Sequence, residues 1–202
     1  DEHLNIHGSK VAKEACEEPA VVGYLECLEG AMEAALGFKI TGSYEKLGWM
    51  TAAGGIVGLF AAPLGGVVAD RIRQKIHVIQ LGGICNFLIT LAVAWLIAGN
   101  HLIFEHLLIA AVCQGIVMNL MMPSRQALTK DVVGLSLLTN AIALSTSGMN
   151  VARLLLPGLA GGLIAALGGG NDNIEPAKWI YLIMAILYLF NTLGMFMVKV
   201  AD

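Results

Sequence analysis

The chain has 202 residues, of which 57% are apolar, 24 are glycine and only 13% are charged. A soluble domain carries ~25% charged residues, so the composition excludes an ordinary soluble fold and a disordered tail. Twelve Lys and Arg against fifteen Asp and Glu give a net charge of −3. That balance leaves no basic field for a phosphate backbone and excludes nucleic acid as a partner. The four cysteines lie far apart with no C-x-x-C pair, so neither a disulfide framework nor a zinc site is expected.

In chain order, residues 1–20 are polar and read as an N-terminal tail with no signal-peptide pattern. Residues 21–40 have the length of a span but carry Glu26, Glu29 and Glu33 on one helical face. Two readings stay open there: a surface amphipathic helix with Leu25, Leu28, Met32 and Leu36 on its other side, or a sixth span whose acidic face lines a wet cavity. Five clear membrane spans follow at 47–69, 76–99, 104–122, 137–167 and 179–198, each about as long as a ~20-residue membrane helix or longer. The long stretch 137–167 is expected to be one helix bent near Pro157, because proline removes a backbone donor. The expected fold is therefore all-α, a polytopic membrane helix bundle spanning residues 21–200.

The loops carry a charge bias. Arg71, Arg73, Lys75, Arg125, Lys130 and Lys199 fall on one side; Lys46, Lys178 and at most Lys39 fall on the other. The positive-inside rule puts the first side in the cytoplasm, and six spans would put both termini there, in the cell (inner) membrane.

Three ordered motifs accompany this pattern. The first loop reads Gly65-Gly66-Val67-Val68-Ala69-Asp70-Arg71-Ile72-Arg73-Gln74-Lys75, and the second Pro123-Ser124-Arg125-Gln126-Ala127-Leu128-Thr129-Lys130-Asp131. The long helix contains Asn140-Ala141-Ile142-Ala143-Leu144 and then Asn150-Val151-Ala152-Arg153-Leu154-Leu155-Leu156-Pro157. Together they resemble the major facilitator superfamily of transporters, in its enterobactin-exporter-like branch. Gln74 and Leu156 depart from the branch pattern, where a basic residue and a glycine are usual. Such transporters have two halves of six helices each, so the resemblance implies that this chain is the N-terminal half of a twelve-helix protein, as a fragment truncated at both ends, the alternative being a free-standing half that dimerises. It also implies that Gly66, Asp70, Arg71, Arg73 and Lys75 form a gating loop that clamps one side shut against the other half.

Arg153 is the one full charge deep within the five clear spans. An ionisable residue at that depth is expensive and marks a functional site by default. The resemblance implies that residues 21–40 cross beside this helix, and equal depth then makes Glu29 or Glu33 its expected partner. Glu26, Glu29, Glu33, Gln114, Asn119, Asn150 and Arg153 are the cavity or coupling candidates. Spacings Gly54-x-x-x-Gly58 and Gly158-x-x-x-Gly162 are expected to let helices approach closely. No nucleophile elbow or phosphate-binding loop occurs, so no enzyme, cofactor or metal is expected. The expected function is secondary active transport, a proton-coupled export of a small amphipathic molecule by alternating access. The partners would be that substrate, protons, the lipid bilayer and the missing half. The alternative is a non-transporting membrane scaffold, in which Arg153 only fixes packing.

Overall fold

The structure is a computed structural model and describes residues 2–71, 75–133, 138–167 and 175–197. These form α1 (Glu2–Thr41), α2 (Tyr44–Arg71), α3 (Lys75–Ala98), α4 (Phe104–Val133), α5 (Leu138–Ala166) and α6 (Ala177–Met197). The all-α bundle is as expected. Helices α2 to α6 are each long and apolar enough to cross a membrane.

Two of the connections are set by local chemistry. After α1, Gly42 takes φ 59° and its N–H bonds Phe38 O at 2.7 Å, the left-handed glycine cap that ends many helices. After α3, Asn100 takes φ 54°, His101 N bonds Leu96 O at 3.0 Å and Asn100 N bonds Ile97 O at 3.1 Å. That pair of bonds is a Schellman cap with asparagine in the left-handed position. Both caps satisfy helix-end carbonyls that would otherwise lack donors.

Two boundaries differ from expectation. Helix α1 begins at Glu2, so the stretch taken as a polar tail is helical. Helix α4 continues through Pro123 to Val133, so most of the supposed second loop is helix and Arg125 lies on its buried face, 5% exposed. Pro123 removes one backbone hydrogen bond from the helix, and its neighbours Met121, Ser124 and Arg125 are buried. The long fifth helix is continuous across Pro157 as expected.

Helix α1 is no surface helix. Val22, Leu25, Met32 and Leu36 are buried together with Glu29 and Glu33, and α1 packs against α2, α4, α5 and α6. The leucine and acidic faces are adjacent at ~100° per residue, not opposed, and both turn inward. The core falls into two groups. Met32, Leu36, Ile97, Leu107, Ile164, Ile180 and Met184 fill one end, and Val22, Leu25, Ile79, Met121 and Tyr188 fill the other.

Close helix approach uses glycines other than those expected. A Cβ at Gly65 would overlap the Asn119 carbonyl of α4, and Gly82 and Gly83 of α3 sit against Met121 and Thr192. Gly54, Gly158 and Gly162 face open space, and Gly58 meets the Asn119 amide at ordinary contact distance. Gly54, Gly158 and Gly162 therefore make no close helix contact among the described residues.

The outer surface is apolar. Trp49, Trp95 and Trp179, all three tryptophans of the chain, are exposed at 64%, 78% and 55%. They stand near the start of α2, the end of α3 and the start of α6, with exposed Tyr44 nearby in sequence. Antiparallel succession puts all four at the bundle end opposite Arg71, where amphipathic rings mark a membrane–water boundary.

Candidate functional site

The interior holds a ladder of polar side chains in three layers, built on four helices. Glu26, Glu29 and Glu33 share one face of α1 because spacings of three and four return to the same side of a helix. In the first layer Arg125 of α4 grips Glu26 in a two-pronged ion pair, Nη1 to Oε2 at 3.0 Å and Nη2 to Oε1 at 2.7 Å. Asn86 of α3 donates to Glu26 Oε1 at 3.3 Å. The Arg125 and Glu26 side chains are only 6% and 8% exposed.

One turn along α1, the Thr90 hydroxyl donates to Glu29 Oε1 and the Tyr188 hydroxyl of α6 donates to Glu29 Oε2 at 2.9 Å. Glu29 is 1% exposed. The third layer gathers Glu33, 3% exposed, with Gln114 of α4 and Tyr181 of α6. Residue numbers rise together on α1 and α3 and fall on α4 and α6, so the ladder also fixes the helix directions. Its length from Glu26 to Glu33 is about 10 Å at ~1.5 Å per residue. Two buried carboxylates one turn apart are tolerable only with donors or protons nearby. Glu29 has its donors, and Glu33 Oε1 receives none. Outside the spans, Lys178 bonds Glu175 and holds that exposed carboxyl below its usual range.

Of the residues singled out in the sequence, the structure brings Glu26, Glu29, Glu33 and Gln114 together. It leaves Asn119 apart, between α4 and α2, with its amide donating to Gly115 O at 2.7 Å. Asn150 and Arg153 lie exposed on α5. The expected pairing of Arg153 with Glu29 or Glu33 is not present. Helix α5 does pack beside α1, but Gly148 and Met149 meet Tyr24 and Gly23 there. Those α1 positions point about 140° away from the glutamates, counted at ~100° per residue. The acid face therefore turns to α3, α4 and α6.

Gly66, Asp70 and Arg71 occupy the last turns of α2, Lys75 opens α3, and Arg73 lies outside the described residues. Sequence reasoning missed Arg125, Asn86, Thr90, Tyr181 and Tyr188. A signal for Arg125 existed: three glutamates on an inward face require a cation, and Arg125 adjoins an apolar run. Thr90, Tyr181 and Tyr188 sit in spans as hydroxyl residues do in many helices and carried no such signal.

The chain matches the model of the Major Facilitator Superfamily over residues 27–202. It belongs to that family, whose members are membrane transporters rather than enzymes, and it is a multi-pass membrane protein. No curated protein and no solved structure matches the chain.

Proposed function

We propose that this chain forms the first six-helix half of a proton-coupled secondary transporter that exports a small amphipathic molecule. The observation that carries the reading is the buried ladder. Three carboxylates within one helix bundle are costly to keep, and intramembrane ionisable groups mark ion pathways by default. Helix α1 is the sixth span of this half, carrying its acids inward where the bundle shields them from lipid.

In this reading Glu33 is the proton-carrying group, since one of its oxygens accepts no bond from the protein. Arg153 and Asn150, exposed on α5, are the charge and amide that this half offers to substrate between the two halves. The α2–α3 junction with Asp70, Arg71, Arg73 and Lys75 acts as the gate, and both termini lie in the cytoplasm. Rocking one half against the other then exposes the site alternately, as internal repeats allow.

The test uses the full-length transporter in proteoliposomes loaded with a pH-sensitive dye. A panel of small amphipathic cations, zwitterions and neutral compounds is added under an imposed pH gradient. The expected result is compound-dependent proton flux that Glu33→Gln abolishes while compound binding persists. Compound flux indifferent to the pH gradient and to Glu33→Gln refutes proton coupling.

A further inference from the structure

The third layer of the ladder is chemically incomplete in a specific way. Glu33 Oε1, Gln114 Nε2 and the Tyr181 hydroxyl are all shielded from solvent, and none has a hydrogen-bond partner in the protein. Tyr181 is fully buried and Glu33 is 3% exposed. The three side chains come from α1, α4 and α6, with Gln114 beside both Glu33 and Glu29 and Tyr181 buried in their electrostatic neighbourhood. Tyr181 belongs to the same buried apolar cluster as Met32, Leu36, Leu107, Ile180 and Met184. Buried polar groups almost always find partners.

We propose that one water molecule is bound between Glu33, Gln114 and Tyr181, accepting from the Gln114 amide and the Tyr181 hydroxyl and donating to Glu33 Oε1. Two donors and one acceptor fit a water that makes ~3 hydrogen bonds, the usual number for a buried one. A metal cation fits poorly, because the Gln114 amide presents N–H where a cation needs oxygen. The second hydrogen of the water falls to Glu29, whose carboxylate accepts from Thr90 and Tyr188 and, with about four lone-pair sites, can take a further donor. The water thereby joins the second and third layers.

The sign of a stability change tests the site, with the full chain in lipid nanodiscs. If the water is bound, Tyr181→Phe removes a made hydrogen bond and lowers the unfolding temperature by several degrees. If no water is there, the hydroxyl is an unpaired buried dipole, and Tyr181→Phe raises the unfolding temperature. A direct Tyr181–Glu33 bond would also give a fall, so infrared difference spectra between ordinary and ¹⁸O-labelled water are recorded. The expected result is a water O–H band that shifts with ¹⁸O and disappears in both Tyr181→Phe and Gln114→Leu. Absence of that band in the wild type overturns the proposal. So does stabilisation by sodium over choline that is lost in Glu33→Gln, which would make the occupant a metal ion.

Discussion

Replacing Arg125 by methionine keeps much of the side-chain length and removes the guanidinium that holds Glu26. The structure sets the scale of the loss. Two charge-assisted bonds of 3.0 and 2.7 Å disappear, and Glu26 keeps only the Asn86 amide at 3.3 Å. Unit charges ~4 Å apart at an effective dielectric of ~20 attract by about 4 kcal/mol. That agrees with the ~3–5 kcal/mol cost of breaking a buried pair from one side. For a chain of this length a loss of 1 kcal/mol lowers Tm by about 2–4 °C, so Arg125→Met should lower it by about 6–20 °C. Removing both charges avoids the stranded carboxylate, and an apolar replacement of a whole buried pair is often neutral. Arg125→Met with Glu26→Met should therefore recover most of the loss. Intrinsic fluorescence during heating in detergent micelles reads each variant. A fall of under ~2 °C for the single variant, or a double variant no better than the single, refutes the account of the pair as a buried structural clamp.

Further outcomes follow from other parts of the bundle. Gly65→Ala should cost ~1–3 kcal/mol, because its Cβ meets the Asn119 backbone carbonyl and neither helix can yield cheaply. Gly54→Ala should leave thermal unfolding unchanged or slightly improved, since that position is open; equal effects of the two would refute the α2–α4 contact. Arg153→Glu should change stability by less than ~0.5 kcal/mol, being an exposed site, and Glu33→Arg should not rescue anything it loses; a rescue would restore the pairing with α1. Asp70→Asn should insert normally, because membrane orientation rests on Lys and Arg, yet transport poorly in vesicles; full transport removes the gating role. Tryptophan fluorescence should be quenched by labels near one bilayer surface and not by labels near the other, as all three rings stand at one end; equal quenching from both sides refutes the belt.

The membrane class, the five apolar spans and the family were legible because each rests on a local signal. A run of ~20 apolar residues needs no tertiary context to be recognised as a bilayer span. The motif from Gly65 to Lys75 is contiguous in sequence. Spacing alone also put the three glutamates of α1 on one face. What spacing cannot supply is the direction in which that face points, since a helix with charged and apolar sides has the same period whichever neighbour it meets. The tertiary structure decided that by seating Gly23 and Tyr24 against α5, which turned the acids toward α3, α4 and α6.

Arg153 illustrates the same division. Its depth along α5 could be counted from the sequence, but depth is one coordinate of three, and the rotation of α5 leaves the guanidinium on an outer face. Arg125 is the converse: its place near an apolar run suggested a loop cation, and the continuation of α4 past Pro123 carried it inward to Glu26. By itself the sequence determined that the chain enters a membrane as helices, which residues carry charge there, and which family it resembles. Only the packing of those helices decided which charges meet, because pairing across distances of 60 to 159 residues depends on helix rotation and close contact at glycines such as Gly65 and Gly82.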